Sequence, residues 1–516
     1  MADLQITLYG GAGEIGGNRI LLEWDGAGWL LDFGIRFKAT GKFFAEFVKP
    51  RTAALGLRDY FRMELLPPLE GLYRDDLWAH QPDLWSRYRG RPDHRQVDNL
   101  RGVLLSHAHM DHNGCLGFLR SDIPVYTGLV SAIIGKCLQD PKPTGADGEF
   151  CYLVPRERSG EILTTAKGPR IQRQHYICES SDEIKKAVTE LREFWCSVPG
   201  TRSDIKAAPL ELVDPALKGL KFWRVDHSIP GSGAFGIETP LGWVIYSGDL
   251  RTHGHSSWRT RKFVEEAAAL KPALLIVEGT RVANEGSITE PEVYDAIEQV
   301  VAAEPGLVIA DFSARNIERL RTFRDIAKAR NRRLVVTTKD AYLLQQLHLI
   351  DPLIPCPTEE IAVLKEFQGT VQLWERGVHT GCAANLVDTG QIQRDPGGYI
   401  VCISYWDIVN LVDFEPSGGT YIYSASEAYD EEQKIDHQRL VNWLNHFGLK
   451  MVGGLPGAEK GPYHASGHID GPALEGLIEQ IGAERILPVH TQQPEWFERR
   501  WAEKIVSSGY GNLVTL

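Results

Sequence analysis

Short apolar runs, each ended by glycine or polar residues, recur along the chain and predict a protein rich in short buried strands. Residues 4–9 (LQITLY) read as a strand, and NRILLEWDGAGWLLDFG reads as a β-hairpin that turns at Asp25-Gly26. A helix is predicted after the apolar run 307–309, because the apolar residues that follow lie on one helical face: Ile317, Leu320, Phe323 and Ala327. The pattern therefore predicts buried strands and at least one amphipathic helix.

A glycine-rich motif follows the first predicted strand. Gly11-x-Gly13-x-x-Gly16 fits the spacing of a dinucleotide-binding fingerprint. A loop of that kind must open a helix whose N-terminus holds the pyrophosphate, whereas this chain continues into the hairpin. A tight turn between two strands is therefore the favoured interpretation, and Asp32 is placed at the end of a buried strand.

Composition narrows the class of protein. The chain has 516 residues, 43% hydrophobic and 24% charged, which excludes disordered, collagenous and coiled-coil classes. No apolar run reaches the roughly 20 residues that span a bilayer, and no secretory signal is recognised, so a soluble cytoplasmic protein without a membrane partner is expected. The eight cysteines form no CxxC pair and are expected to be reduced structural thiols. The net charge of −12 argues against a protein that coats nucleic acid through a broad basic face.

Three histidines and an aspartate crowd the end of one predicted strand. The segment RGVLLSHAHMDHNG places His107, His109, Asp111 and His112 directly after the apolar run 103–105. Imidazole and carboxylate are preferred ligands of divalent cations such as zinc. In an extended segment His107 and His109 point to the same side and can share one metal, while Asp111 and His112 can reach a second. The segment therefore predicts a metal site.

The His-x-His-x-Asp-His pattern resembles that of the metallo-β-lactamase superfamily. Three further residues expected from this resemblance occur in order, each after an apolar strand: His227, Asp249 and His490. The resemblance implies two zinc ions, with manganese as the alternative metal. Their ligands form two groups bridged by Asp249: His107, His109 and His227 for one metal, and Asp111, His112 and His490 for the other. Asp32 would support the ligands from behind, and Asp32 and Asp111 count among the catalytic residues.

The interval between Asp249 and His490 is far longer than one strand and one helix need, which predicts an inserted domain. Glu278 follows a strand and His468 closes the run HASGH; together with His490 they resemble the three added motifs of the β-CASP nucleases. The ribonuclease J branch is the most similar, through segments that occur here in its order: GGAGEIGGN, LLDFGIRF, SHAHMDHNG, VDHSIPGS, GDLR, HASGH and LPVH. The resemblance implies that His468 protonates the leaving oxygen or binds the scissile phosphate and that Glu278 orients it, with phosphate contacts from His464 and Ser466.

A basic helix is predicted after the strand at 307–309. Its start places Ser313, Arg315 and Asn316 where helix-end amides and a guanidinium group can hold a phosphate. The resembling segment of ribonuclease J binds a 5′-phosphate through a Ser-Asn pair; Asn316 matches, whereas Arg315 stands in the place of the serine. A solvated helix face without a ligand is the alternative interpretation.

The resemblance implies an α/β architecture: a four-layer αββα metallo-β-lactamase domain made of residues 1–288 and 456–516, with an α/β β-CASP domain inserted at 289–455. Two segments are predicted to be insertions within the first domain, at about 38–98 and 137–220. The former contains Trp78, Trp85 and Tyr88, which could stack bases, pack a helical lid onto the main domain or form a subunit contact. No separate C-terminal domain is expected, so any homo-oligomer would not form through one.

By this resemblance the expected function is that of a dinuclear-zinc ribonuclease of the ribonuclease J type. It would hydrolyse RNA phosphodiesters as a 5′-to-3′ exonuclease, with endonuclease activity in addition, and leave 5′-phosphates. A β-CASP nuclease acting on DNA or structured RNA is one alternative, and an RNA-binding pseudoenzyme is another. Retention of all seven candidate ligands argues against the pseudoenzyme.

Overall fold

The computed structural model describes most of the chain, and the chain divides into two compact units. The first comprises Met1–Thr252, Ser256–Gly286 and His468–Leu516, and the second comprises His253–His255 and Ser287–Gly467. The predicted boundary between residues 455 and 456 lies outside the described residues, and the predicted domain limits stay predictions. The described residues are 3–45, 47–79, 84–141, 145–199, 205–214, 217–313, 315–425, 431–454 (backbone only for 431–434) and 461–516.

The first unit contains two large sheets. The eight-stranded sheet has the order Glu211–Leu212, His175–Ile177, Val125–Thr127, Leu100–Leu104, Ala27–Leu31, Arg19–Trp24, Gln5–Gly10 and Leu513–Thr515. The five-stranded sheet has the order Leu220–Arg224, Gly233–Thr239, Gly242–Tyr246, Leu274–Val277 and Arg485–Pro488. Smaller sheets are formed by Ile205–Lys206, Arg170–Gln172 and Tyr152–Leu153, by Arg156–Ser159 and Ile162–Thr165, and by Leu69–Glu70 and Arg95–Gln96.

Two buried apolar cores hold the sheets and helices of the first unit together. Apolar side chains from the two large sheets meet in one core, among them Leu8, Ile20, Leu31, Phe235 and Val244. A second core joins the other face of the five-stranded sheet to the helices Ser257–Ala269, Gly471–Ile481 and Pro494–Trp501. The remaining α-helices of this unit are Phe37–Thr40, Thr52–Leu55, Arg58–Arg62, Met110–Asn113, Leu129–Gln139, Asp182–Glu190 and Arg192–Cys196.

The second unit is built on one parallel sheet of seven strands. Its order is Leu386–Asp388, Ala362–Lys365, Arg333–Val336, Tyr399–Cys402, Val308–Asp311, Thr420–Tyr423 and Lys450–Val452. Its α-helices are Glu290–Ala303, Ile317–Ala329, Thr338–His348, Leu373–Gly381, Thr389–Arg394, Asn410–Phe414 and Glu431–His446. Alternating strands and helices with a parallel sheet define an α/β unit. The expected α/β class is confirmed.

Local sequence explains where one hairpin turns and where one helix begins. Asp25 and Gly26 have φ values of 51° and 71°, which a two-residue hairpin turn requires, and they join the antiparallel strands Arg19–Trp24 and Ala27–Leu31. Helix Glu290–Ala303 begins with a capping box in which Thr289 and Glu292 satisfy each other's backbone amides.

The aromatic residues of the segment at 38–98 pack on one another. The ring of Phe61, which is fully buried, lies 5.1 Å from Trp78, 5.5 Å from Trp85 and 5.8 Å from Tyr88 between ring centroids. Aromatic pairs at such separations stabilise a core through burial and ring electrostatics. The packing favours the interpretation that these rings form a core within the segment over the interpretation that they stack bases.

Within the described ranges, no helix is both long and apolar enough to cross a membrane. The expected cytoplasmic location stays a prediction, as does the expectation that any homo-oligomer would not form through a C-terminal domain.

Candidate metal centre

Loops at strand ends carry the predicted ligands, all of which belong to the first unit. His107, His109, Asp111 and His112 follow strand Leu100–Leu104 of the eight-stranded sheet. In the five-stranded sheet, three neighbouring parallel strands end next to Asp249, Glu278 and His490. Because parallel strands end at the same edge, side chains from distant parts of the sequence meet there.

The first predicted ligand group converges on a small volume. His107 Nε2 lies 3.0 Å from His109 Nδ1, which lies 3.2 Å from His227 Nε2. The Oδ2 atom of Asp249 is 3.7 Å from His107 Nε2 and 3.9 Å from His227 Nε2. One ligand atom from each of these four residues lies within 4.8 Å of the others, as binding one cation requires.

The second predicted group uses the same aspartate oxygen. His112 Nε2 lies 3.1 Å from Asp249 Oδ2 and 3.6 Å from Asp111 Oδ2. His490 Nε2 lies 3.2 Å from Asp111 Oδ2 and 3.6 Å from Asp249 Oδ2. Asp249 therefore contributes to both groups, as the resemblance implies for a bridging ligand.

Electrostatics at the centre favour a cation. Burial lowers the pKa of His107 well below its ordinary value, so its ring stays neutral with a lone pair available. Burial opposes the charged form of His112 as well, but the surrounding carboxylates, Asp249 first, outweigh burial and raise its pKa. Although burial favours the neutral form of Asp111 and Asp249, the charge of His112 holds the pKa of each carboxyl below its usual range. The carboxylates are thus ionised and attract positive charge.

Asp249 has spare coordination capacity. Its Oδ1 atom is buried and has no hydrogen-bond partner among the described residues. An unsatisfied buried carboxylate oxygen is costly unless a cation or a donor meets it. Together with nitrogen and oxygen donors that suit Zn²⁺ and Mn²⁺, this orphaned atom fits a bridging metal ligand.

Asp32 is the buried partner of His112. Its Oδ2 lies 2.7 Å from His112 Nδ1, and its carboxylate accepts from the Ser106 amide at 2.7 Å and the Ser106 hydroxyl at 2.8 Å. The hydroxyl of Tyr246 also donates to Asp32, at 2.5 Å, and accepts from the side-chain amide of Asn18 at 2.9 Å. The φ of Asp32 is +56°, a strained region that this network maintains.

His468 pairs with Glu278 beside Asp249. His468 Nδ1 lies 2.9 Å from Glu278 Oε2 and 4.0 Å from Asp249 Oδ2. Burial would lower the pKa of His468, but the Glu278 carboxylate outweighs burial and raises that pKa to about 9. Glu278 is fixed in turn by the amide of Leu250, which donates to its Oε1 at 2.8 Å.

Several residues that contact Asp32 or a candidate ligand were not predicted from the sequence. Ser106 and Tyr246 contact Asp32, while Thr280 places its hydroxyl 2.8 Å from His490 Nδ1. All three lie inside the motifs that supplied the ligands, next to or near a ligand in sequence. Their proximity in sequence was the available signal, but spacing alone does not tell which side chains face the ligands.

The glycine-rich loop approaches a ligand closely. It joins the antiparallel strands Gln5–Gly10 and Arg19–Trp24. Gly16 has a φ of +78°, and a Cβ atom there would lie 2.8 Å from Asp111 Oδ2. A Cβ atom on Gly34 would lie 1.7 Å from the backbone oxygen of Asp111. Glycine is thus required where the backbone packs against the ligand loop.

The remaining predicted phosphate contacts lie in the second unit. Asn316 accepts from the Arg319 amide at 3.1 Å and so caps helix Ile317–Ala329. Arg315 Nε donates to Ser313 Oγ at 3.4 Å. His464 Nδ1 lies 3.1 Å from the Ser424 carbonyl oxygen, and the carbonyl oxygen of Ser466 accepts from a histidine ring. The phosphate-binding role of these residues stays a prediction.

No protein-family model matches the chain. Ribonuclease J of Pyrococcus abyssi is 23% identical over 508 residues, which cover 94% of this chain and 89% of that protein. Ribonuclease J of Mycolicibacterium smegmatis is 22% identical over 494 residues, covering 94% of this chain and 68% of that protein.

A solved structure supports the fold. The crystal structure of a protein of unknown function from Enterococcus faecalis V583 superposes with a TM-score of 0.66 at 19% identity and covers 100% of both chains. The curated relatives match along most of the sequence. These matches along most of the chain support a ribonuclease J-like member of the metallo-β-lactamase and β-CASP family.

Proposed function

We propose that the chain is a dinuclear-metal ribonuclease that hydrolyses RNA phosphodiesters as a 5′-to-3′ exonuclease and leaves 5′-phosphates. Zinc is the proposed metal, with manganese as the alternative, and endonucleolytic cleavage is a second mode of the same site. The relatives named ribonuclease J support a hydrolytic nuclease acting on RNA. The second unit is proposed to be the inserted β-CASP domain.

One observation carries this proposal. Two groups of ligand atoms meet at Asp249, and the pair formed by His468 and Glu278 lies directly beside them. When bound, two divalent cations acidify a water and neutralise phosphoryl oxygens, the two requirements of phosphodiester hydrolysis. A structural metal site has no need of an adjacent ion-paired histidine.

The roles of the other side chains follow from their contacts. Glu278 accepts from Nδ1 of His468, so Nε2 is the atom from which a proton reaches the leaving 3′-oxygen. Because the Glu278 carboxylate stabilises the charged ring, His468 carries this proton at neutral pH. Positioned general acids typically contribute about 10²- to 10⁴-fold to a rate.

Hydrogen bonds on the Nδ1 side of His112 fix the position of its ring. Asp32 holds its Nδ1, which leaves Nε2 facing Asp249, and Tyr246 and Ser106 hold Asp32. Carboxylate–histidine pairs of this kind fix the tautomer and raise the basicity of a ligand. Tyr246 would therefore act on a metal bound by His112 only through Asp32 and His112, as a positioning residue.

The proposed exonuclease is tested with single-stranded RNA labelled at its 5′ end. We expect release of labelled mononucleotide, with a preference for 5′-monophosphate over 5′-triphosphate and 5′-hydroxyl ends if Ser313, Arg315 and Asn316 bind the terminal phosphate. A ladder of internal fragments would assign the site to endonuclease activity. Absence of cleavage with either zinc or manganese would overturn the proposed function.

Replacing His468 with alanine should lower turnover by about 10²-fold or more, because the leaving oxygen loses its proton donor. Both metals should remain bound, which elemental analysis of the purified variant measures. The control is His255→Ala, which removes an exposed histidine of the second unit. Turnover equal to that of the control would show that His468 is not the acid.

Tyr246→Phe should weaken metal binding by about 10- to 100-fold, the usual effect of losing a hydrogen bond behind a ligand. The matched control is Tyr9→Phe, since the buried Tyr9 hydroxyl has no hydrogen-bond partner among the described residues. Competition with a chelator measures the affinity of each variant. Equal affinities for the two variants would contradict a positioning role for Tyr246.

A further inference from the structure

An exposed aromatic segment begins next to the candidate metal centre. Phenylalanine rings at Phe37, Phe43 and Phe47 are 54%, 49% and 87% exposed, and Val48 is 59% exposed. Among the described residues, only one other phenylalanine, Phe367, is comparably exposed. Such a concentration of exposed rings within one short segment marks a site of interaction. The segment at 37–49 is called here the Phe/Lys segment.

Backbone hydrogen bonds lie next to these solvent-exposed rings. Phe37–Thr40 forms one helical turn, and the amides of Phe43 and Phe44 both donate to the Thr40 carbonyl oxygen at 3.0 Å. Further along, the Ala45 amide donates to the carbonyl oxygen of Val48, also at 3.0 Å. Backbone hydrogen bonds therefore fix the chain beside Phe37 and Phe43.

The positive charge of the Phe/Lys segment indicates what kind of partner it would bind. Lys38, Lys42 and Lys49 are exposed, and no described carboxylate forms an ion pair with them. The sequence between Asp32 and Asp59 contains a single acidic residue, Glu46. In a chain with a net charge of −12, this segment is locally basic. An anionic partner with flat apolar groups fits lysines interleaved with aromatic rings.

The segment is continuous with the metal centre. The Ile35 amide donates to the carbonyl oxygen of Met110 at 2.9 Å, and Met110 lies between the candidate ligands His109 and Asp111. Phe37 is two residues further along and thus at most about 7 Å from Ile35. The Phe/Lys segment therefore begins within a few residues of the backbone that carries the candidate ligands.

We infer that the Phe/Lys segment binds single-stranded RNA, with bases stacked on Phe37, Phe43 and Phe47 and phosphates held by Lys38, Lys42 and Lys49. Aromatic rings accept any base because every base has a flat face, so binding would be tolerant of sequence. The inference rests on the proposed function, since the RNA bound here is the substrate of the metal centre. The segment thereby extends the contact between enzyme and substrate beyond the scissile phosphate.

The inference is tested by fluorescence anisotropy with a labelled single-stranded RNA and the metal-loaded full chain carrying His468→Ala, which slows consumption of the RNA. Each of Phe37→Ala, Phe43→Ala and Phe47→Ala should weaken binding by roughly fivefold or more. The Phe367→Ala variant, which removes a ring that is 76% exposed in the second unit, is the matched control and should bind as the parent does.

Replacing the three lysines with alanine gives an independent readout. The slope of log affinity against log salt should become shallower by about 2, because each phosphate contact on a single strand contributes about 0.7. A purely structural role of the segment would lower affinity without changing this slope.

Several outcomes would overturn the inference. These are parental binding by all phenylalanine variants, equal loss in the Phe367→Ala control, and an unchanged salt slope. Loss of binding to vesicles of anionic phospholipid, with RNA binding intact, would assign the segment to a membrane surface instead. Cleavage of RNA by the unsubstituted chain is measured in parallel: RNA binding that depends on Phe47 in a chain that cleaves no RNA contradicts the proposed function alone.

Discussion

The buried carboxylate of Asp249 contacts ring nitrogens of both ligand groups, and the arrangement of the centre depends on it. Its Oδ2 lies between 3.1 and 3.9 Å from nitrogens of His107, His112, His227 and His490. An ionised carboxylate removed from water is costly unless positive charge compensates it. Asp111 is ionised as well and lies beside the imidazole of His112, which increases this demand, so the centre is organised for cations.

Backbone constraints make that concentration of charge possible. Asp32 and His490 both have positive φ values, and glycine is required at positions 16 and 34 where the chain packs against Asp111. Such conformations are costly by themselves and persist where surrounding contacts determine them. Here the hydrogen bonds of Ser106, Tyr246 and Thr280 provide those contacts. The geometry of the candidate ligands is thus maintained by residues that are not themselves candidate ligands.

The residues that meet at the candidate centre could be picked out from sequence because each follows a short apolar strand. Asp249, Glu278 and His490 lie far apart in sequence, yet they end neighbouring parallel strands. The α/β class was expected from the resemblance to the metallo-β-lactamase superfamily. The directions of the side chains could not be predicted. Nothing in the spacing of WVIYSGDLR indicates that the hydroxyl of Tyr246 reaches Asp32. Nor does composition separate the buried ring of Tyr88 from the exposed ring of Phe47, since both occur among basic residues.

The central claim, that two divalent cations share Asp249, is tested most directly by X-ray diffraction from zinc-loaded crystals at the zinc absorption edge. Two anomalous peaks are expected, one among His107, His109, His227 and Asp249 and the other among Asp111, His112, His490 and Asp249. A single peak, or peaks remote from Asp249, would contradict the claim.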